Sequence, residues 1–274
     1  MHPDSPVVDD RIDFYRRTIS VWLPDRHASV LVVGAEGNDI DVFRDLGYTD
    51  VMLLNLERRG PDLPEGWRFT TGNGHDLPFP DAAFDAVVTH ATLHHCRSPH
   101  RALLEMYRVA RRTVIFIEAR DSLLMRWAER LGLTQSYEVT AVFYNGGTRG
   151  GVDDTGVPNY VYRWTEREVE KTIATAAPHL RHGIDYRYGL ALPQTPKVMR
   201  HAPLRAALIS GLRLVAVPLG RILRRQQNLF AARIRKPDAD AGLQPWLTTD
   251  AHGEPTFDQS WGQSRFLAAN ELTR

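Results

Sequence analysis

A run of β-branched and apolar residues that ends in glycine, residues 30–34, constrains the fold of this chain more than any other feature. Such a run favours a strand buried on both faces, and a glycine directly after it lets the backbone approach a ligand closely. Further apolar runs at residues 51–54 and 84–89 are separated by segments with helical spacing. This alternation predicts an α/β fold in which parallel strands are covered by helices on both faces.

Glycine and polar residues follow each of these predicted strands. The first strand leads into a G-A-E-G turn at residues 34–37, and the second ends at Asn55 and Glu57. A turn at residues 72–76 is followed by L-P-F-P and then by the third apolar run. Because the carboxyl ends of parallel strands meet at one edge of a sheet, these segments predict a single cofactor pocket there.

The order of these motifs resembles the class I S-adenosyl-L-methionine (SAM) dependent methyltransferases, in their type 11 branch, over about residues 28–120. The resemblance implies a Rossmann-like, mostly parallel sheet of seven strands, with helices on both faces and the last strand antiparallel. It also implies SAM as the methyl donor. The residues that correspond to the SAM site are Tyr15, Gly34, Ala35, Glu36, Gly37, Asn55, Glu57, Asn73, Gly74, His75 and Thr89.

This chain departs from the family pattern at four positions. Val32 replaces an acid in the first strand, and Glu36 replaces a glycine. Asn55 and Asn73 stand where acids usually contact the ribose and the adenine. An amide oxygen can accept the same hydrogen bonds, but without the added strength of a negative charge. We therefore expect Glu57 to take over the ribose contact and Glu36 to face the methionine ammonium group.

The histidines after the fourth predicted strand are candidates for activating the methyl acceptor. His90, His94 and His95 follow this strand, and histidine is suited to proton transfer near neutral pH. Adjacent residues on a helix point about 100° apart, so only one of His94 and His95 should face the pocket. A divalent ion such as Mg²⁺ is the alternative means of activation. Its candidate ligands are Glu118, Asp121, Asp153 and Asp154, which could join a histidine in such a site.

A glycine-rich segment at residues 136–164 predicts a lid over the acceptor, with a surface loop as the alternative. Its polar and aromatic side chains suit a sugar or oligosaccharide, and the candidate contacts are Tyr144, Asn145, Arg149, Asn159, Tyr160 and Arg163. The pattern therefore favours O-methylation of a sugar hydroxyl, as in bacterial polysaccharide methyltransferases such as those of mycobacterial methylmannose polysaccharides. A lipid, quinone or polyketide acceptor and a non-catalytic SAM-binding protein are the alternatives.

A basic segment lies near the C-terminal end. Residues 197–236 contain ten lysines and arginines and no acid, whereas residues 237–274 contain six acids and two arginines. This segment could contact an anionic membrane surface, but we favour a solvated helical insert or a homodimer contact, with the acidic tail folded back on it.

The composition fits one domain over residues 1–274, because the chain is long enough to bury a sizeable core. Its expected parts are an N-terminal helix (1–27), a SAM-binding core (28–120), the lid (136–164), a basic insert (197–227) and a tail (237–274). A single cysteine, Cys96, and the lack of a signal-peptide pattern indicate a cytoplasmic enzyme. The net charge of +1 argues against nucleic acid as a partner.

The apolar spacing also predicts the positions of individual elements. We expect helices at 9–22, 39–46, 99–110 and 166–176, the last opened by a capping box from Thr165 to Glu168. We expect further strands at 113–117, 179–190 and 228–234.

Overall fold

The computed structural model describes residues 10–58, 61–191, 222–237 and 242–267, together with the single positions 211, 218 and 220. Its main sheet has seven strands. They are β1 (Val30–Val33), β2 (Val51–Asn55), β3 (Arg68–Thr71), β4 (Phe84–His90), β5 (Ala110–Ala119), β6 (Gly183–Gly189) and β7 (Leu229–Arg235). The strand order is β3-β2-β1-β4-β5-β7-β6. The first five strands run parallel, whereas β7 is antiparallel to both β5 and β6.

Helices cover both faces of this sheet. α1 (Asp10–Trp22) and α2 (Gly37–Asp45) cover one face, and α3 (Pro99–Val109) and α6 (Glu166–Ala176) cover the other. Two further helices, α4 (Leu123–Arg130) and α5 (Val139–Tyr144), lie between β5 and α6 in the chain. Short 3₁₀ turns occupy Leu93–His95, Val152–Asp154 and Arg224–Gln226. Beyond the sheet, β8 (Leu247–Thr249) and β9 (Pro255–Phe257) form a hairpin, followed by helical turns at Gln259–Gly262 and Gln263–Leu267.

Strand β1 shows how the sequence produces two cores. All four of its residues are buried, as expected for a central parallel strand. Val30 and Val32 face a core with α1 and α2, whereas Leu31 and Val33 face a core with α3 and α6. Since successive side chains of a strand point to opposite faces, an unbroken apolar run is what this double burial requires.

The predicted fold class is confirmed, including the antiparallel last strand. Helix α1 lies within the predicted 9–22, and the capping box of α6 is present: Thr165 Oγ1 accepts from Glu168 N, and Glu168 accepts from Thr165 N. The predicted strand 113–117 is longer in the structure, because β5 pairs with β4 on one side and β7 on the other. The strand predicted at 179–190 is shorter, spanning Gly183–Gly189.

Most of the predicted basic insert, 197–227, lies outside the described residues, as does any contact between it and the acidic tail. The described part of the tail contains the β8–β9 hairpin, against which Trp246 and Trp261 pack with ring centroids 6.1 Å apart. In the described part of the chain, no helix combines the length and the apolar character needed to cross a membrane.

Candidate active site

A cavity of about 320 Å³ lies at the carboxyl edge of the sheet. The ends of β1, β2 and β4 form its floor, and the loops after β3 and α5 form its walls. The predicted site residues on its surface are Gly34, Glu36, Asn55, Asn73, Gly74, His90, His95, Asn145, Asp153 and Asp154. Residues from the cofactor, histidine and lid predictions therefore surround one cavity.

Gly34 allows the close approach that the sequence predicts. Its φ is 71°, in the left-handed region, and a Cβ added there would lie only 2.1 Å from Thr92 Cγ2. The backbone N–H groups of Gly34 and Ala35 both donate to Leu54 O, at 2.8 and 3.1 Å. This turn therefore ties the end of β1 to β2 and leaves room for the loop after β4. Gly37 is less constrained, since a Cβ there would have its nearest neighbour, Pro61, at 3.7 Å.

A buried carboxylate connects α1 and α2 beside this turn. Asp39 Oδ1 accepts from Tyr15 Oη at 2.8 Å, and its Oδ2 accepts from Glu36 N at 2.9 Å. Burial raises the pKa of Asp39 to about 6, although both hydrogen bonds oppose this shift. The Tyr15 ring is fully buried and stacks on His90, with centroids 4.3 Å apart. Tyr15 itself does not line the cavity but supports two residues that do.

At the cofactor end, the amide of Asn55 is used by the backbone. Its Nδ2 donates to Ala35 O at 3.0 Å, and its Oδ1 accepts from Leu56 N at 2.8 Å. Glu57 does not line the cavity and forms an exposed ion pair with Arg149 at 3.3 Å. The ribose role predicted for Glu57 remains a prediction.

The loop after β3 is held by an imidazole. Asn73 Oδ1 accepts from His75 N at 2.9 Å and lies 2.7 Å from His75 Nδ1. His75 Nε2 accepts from Ser98 N at 3.0 Å, which places the ring proton on Nδ1. His75 therefore orients Asn73, which lines the cavity, rather than lining it directly. Thr89 is also structural, because it is buried and donates to Val33 O at 2.8 Å.

The lid closes over the cavity through its glycines and aspartates. Gly150, Gly151, Asp153 and Asp154 line the cavity, and Asp153 and Asp154 both adopt positive φ angles, 48° and 57°. A Cβ at Gly151 would lie 1.9 Å from Val157 O, so this crossing of the lid on itself requires glycine. Asp153 is anchored by Arg97, whose backbone N and side-chain Nε approach it at 3.1 and 3.2 Å.

The two adjacent histidines occupy different environments. His94 Nδ1 donates to the buried Glu118 Oε2 at 2.6 Å, and Glu118 Oε1 accepts from Leu93 N at 2.7 Å. Burial lowers the pKa of His94, but the charges and hydrogen bonds of Glu118 and Glu138 together outweigh this effect and raise the pKa to about 10. Burial, followed by the charge of His94, instead lowers the pKa of His95. Of the two histidines, His95 is the one that lines the cavity.

A protein-family model matches a segment that contributes to this cavity. Residues 44–117, which span β2 to most of β5, match the family model described as a methyltransferase domain. A search among curated proteins found no matching sequence.

Solved structures resemble this chain in fold. The [4+2]-cyclase SpnF is 16% identical over 86% of each chain, with a TM-score of 0.50. The 1,6-didemethyltoxoflavin-N1-methyltransferase of Burkholderia thailandensis, which binds S-adenosylhomocysteine, is 16% identical over 84% of this chain and 80% of its own, with a TM-score of 0.48. A SAM-dependent methyltransferase of Thermotoga maritima is 14% identical over 83% and 90%, with a TM-score of 0.45. At such identities the likeness concerns the fold.

Several predicted acceptor contacts lie away from the cavity. Tyr144 and Tyr160 are exposed, and Tyr160 packs edge-on against Tyr137. Arg163 is buried, donates to Gln135 O at 2.8 Å and pairs with Glu129. Asn159 is buried and donates to His94 O at 3.1 Å, so it supports the histidine turn.

The predicted magnesium ligands are not brought together. Glu118 is occupied by His94 and Leu93, and Asp121 by Arg126 at 2.8 Å. Among the described residues, the side chains that converge like metal ligands are His94, His95 and Glu138. Sequence reasoning missed Glu138 and Asp39. Asp39 has a sequence signal, because it stands three residues after the N-cap residue Glu36 and accepts from the backbone there. Glu138 belongs to no motif.

Proposed function

We propose that this chain is a SAM-dependent methyltransferase that binds SAM in the cavity at the carboxyl edge of the sheet. The observation that carries the proposal is the turn at Gly34 beside a cavity of about 320 Å³, whose lining includes residues of the segment 44–117 that matches the methyltransferase family model. The cavity adjoins three parallel strand ends, where doubly wound folds bind nucleotides.

The charges of the cavity fit the methyl donor. SAM carries a positive sulfonium and a positive ammonium group, and the carboxyl groups of Glu36 and Asp39 line the cavity near Gly34. The negative charges of these carboxylates would attract a positive group of SAM. That positive group would in turn favour the ionised form of Asp39. The apolar Leu54 and Leu56 and the polar Asn73 line the same cavity and suit an adenosine, which needs ring contacts and a few polar groups.

We further propose that the acceptor is a hydroxyl of a sugar or similar polyol. The lid side of the cavity presents Asn145, Asp153 and Asp154, whose oxygens and amide can bind hydroxyl groups. His95 lies at the same cavity, so it can hold the reacting hydroxyl in line with the methyl group. Methyl transfer then forms an oxygen–methyl bond and breaks the sulfur–methyl bond. The hydroxyl proton is released towards His95.

The test is SAM binding by matched glycine variants. Isothermal titration of the full chain should show one SAM site, and Gly34→Ala should lower its affinity by at least ~10-fold, because the new Cβ clashes with Thr92 and requires a strained φ. Gly37→Ala is the control, since it makes an ordinary contact. Absence of SAM binding by the wild type would refute the proposal. Binding without transfer to any hydroxyl acceptor would instead indicate a non-catalytic SAM-binding protein.

A lipid-borne acceptor is the second candidate. Helix α4 has no buried residue, and its Leu123, Leu124 and Trp127 are all exposed, as are Phe143 and Tyr144 of α5. Exposed apolar side chains on an amphipathic helix are typical of contact with a lipid surface or a partner. Binding to lipid vesicles by the intact chain would favour this candidate over a free sugar.

A further inference from the structure

Three side chains of metal-binding type converge beside the cavity. His94 and His95 belong to the turn after β4, and Glu138 directly precedes α5 of the lid. Glu138 Oε2 lies 3.6 Å from His94 Nε2 and 3.3 Å from His95 Nε2. We call these three residues the histidine–glutamate cluster. All three are partly or largely buried, and His95 lines the cavity.

The distances from Glu138 Oε2 to the two histidine nitrogens are longer than the length of a charge-assisted hydrogen bond. Charge-assisted N–H···O bonds measure about 2.7–2.9 Å, and the contact of His94 Nδ1 with Glu118, at 2.6 Å, is of this kind. The two contacts with Glu138 are longer by more than half an ångström. Ligands about 2.0–2.1 Å from a tetrahedral zinc ion lie about 3.4 Å from one another. The two distances to Glu138 lie close to this edge length, and all three ligand atoms lie within 4.8 Å of one another.

The surroundings of the cluster hold its ligands in place. Glu118 accepts the Nδ1 proton of His94, so Nε2, which lies towards Glu138, is the ring nitrogen that a metal ion can bind by displacing its proton. Asn159 Nδ2 donates to Glu138 Oε2 at 3.3 Å and to His94 O at 3.1 Å. The Asn159 Oδ1 atom is buried without a hydrogen-bond partner among the described residues, so an acceptor for a bound water or hydroxyl lies beside the cluster. Carboxylate and amide groups in these positions are the usual supports of a bound metal.

We propose that His94 Nε2, His95 Nε2 and Glu138 Oε2 bind one divalent transition-metal ion, with Zn²⁺ as the reference ion. Two imidazoles and one carboxylate form the ligand set of open zinc sites, in which a fourth position remains for water or substrate. Mg²⁺ is disfavoured, because it prefers oxygen ligands in octahedral geometry. The site is distinct from a site built on Asp121, Asp153 and Asp154. It also couples the histidine turn to the lid, because Glu138 comes from the lid segment.

Because His95 lines the cavity, an ion bound to it would lie beside the cavity, and its fourth coordination position would face the cavity. If the proposed function holds, the acceptor oxygen would occupy that position, and this consequence alone rests on the proposed function. Metal binding itself depends only on the three ligands. The two proposals can therefore fail separately, and binding of metal and of SAM should be measured on the same samples.

The experiment titrates metal-stripped full-length protein with Co²⁺ and, separately, with Zn²⁺. We expect one ion per chain and a visible absorption spectrum of tetrahedral Co²⁺, which Zn²⁺ displaces. Glu138→Gln and His95→Ala should each lower Zn²⁺ affinity at least ~100-fold, and Glu118→Gln by ~10- to 100-fold as a positioning residue. His252→Ala, an exposed histidine outside the cluster, is the matched control.

Stoichiometric Zn²⁺ binding that the Glu138→Gln and His95→Ala variants retain would overturn the proposal, as would absence of binding by the wild type. Circular dichroism and SAM titration show whether each variant is folded. If a ligand variant is unfolded, Asn159→Asp serves as the second test. It keeps the size of the side chain but places a negative charge 3.3 Å from Glu138 Oε2, so it should change the Co²⁺ spectrum. An unchanged spectrum would count against the site.

Discussion

At the scale of single residues, His94 and His95 are neighbours in sequence with opposite electrostatic environments. His94 contacts two carboxylates, those of Glu118 and Glu138, and both atoms of its ring that can bind a proton are engaged. His95 faces the cavity and has a lowered pKa, because burial and the charge of His94 disfavour its protonation. The pair therefore separates an anchoring imidazole from one that can meet the acceptor.

We expect His95→Ala to reduce methyl transfer by ~10²-fold or more while SAM affinity changes little, because the acceptor loses the group that holds its hydroxyl or its bound metal. Transfer from radiolabelled SAM to a panel of sugar acceptors, together with SAM titration, measures both quantities. His252→Ala is the control. A loss of SAM affinity as large as the loss of turnover would show that His95 belongs to the cofactor site instead.

Asp39 makes stability depend on pH in an unusual direction. Burial raises its pKa from 3.8 to about 6, so the folded chain holds the proton more tightly than the unfolded chain does. Asp39 therefore contributes stability that is fully present below pH 3.8 and is lost as the pH rises through about 6.

We expect Asp39→Asn to remove this contribution, because the amide can accept from Glu36 N and donate to Tyr15 without ionising. Urea denaturation from about pH 4 to about pH 7 should show that the difference in unfolding free energy between wild type and variant changes with pH. Asp62→Asn, at an exposed position, gives the reference. A difference that stays constant with pH would contradict the prediction.

Residue roles were only partly predictable from the sequence. Gly34, Glu36, Asn73 and His95 lie on the cavity as their order along the strands predicts. Asn55 also lies there, but its amide is hydrogen-bonded to the backbone of Ala35 and Leu56. The sequence does not show that these backbone groups occupy the amide that was predicted to bind the cofactor.

At the scale of elements, the lid has a backbone path that few residues allow. Residues 150–157 cross over themselves so closely that Gly151 would place a Cβ 1.9 Å from Val157 O. The path also contains Asp153 and Asp154 at positive φ, and Asp154 Oδ1 accepts from Gly150 N at 3.1 Å. The lid is therefore a defined turn that shapes the acceptor side of the cavity.

We expect Gly151→Ala to displace this turn and to raise the KM for the acceptor by ~10-fold or more, since small displacements in an active site can cost up to 10² in rate. Gly37→Ala, where a Cβ has room, is the control. Steady-state kinetics at saturating SAM distinguish the acceptor KM from kcat. An unchanged acceptor KM would mean that the lid turn does not contact the acceptor.

Elements with a clear period were predictable, whereas those fixed by distant contacts were not. The helices of the first half and the capping box of α6 follow from apolar spacing and local hydrogen bonds. Helix α5 was not predicted, because six residues are too few to show a period. Its start is fixed by the bond from Glu138 N to Asn159 O, 3.0 Å, between residues far apart in sequence.

At the scale of the whole molecule, the exposed apolar face of α4 adjoins the chain that leads from the basic segment. Leu124 N donates to Gln226 Oε1 at 3.3 Å, and Ser122 Oγ donates to Gln226 O at 3.1 Å. The part of the basic segment around Gln226 therefore lies against the start of α4. An apolar face next to positive charge is the combination that recruits proteins to anionic lipid.

For a soluble sugar acceptor we expect the intact chain to remain in the supernatant after sedimentation with anionic vesicles. Each cationic residue near such a surface contributes ~1 kcal/mol to the free energy of membrane binding. If the protein binds the membrane, its sedimentation with the vesicles would therefore be strong at low salt and would fall as the salt concentration rises. Neutral vesicles provide the control. Strong, salt-sensitive sedimentation would replace the sugar acceptor with a lipid-borne one.

The position of β7 in the sheet sets an order of assembly. β7 is the strand that pairs with β6, and it also joins β6 to β5. During synthesis, residues 183–189 emerge more than forty positions before residues 229–235, so β6 lacks its partner strand until β7 has been synthesised. The five parallel strands can form earlier, because each pairs with strands within the first 119 residues. The nascent chain therefore carries an open β5 edge through the synthesis of the intervening basic segment, and closing that edge is the last step of building the sheet.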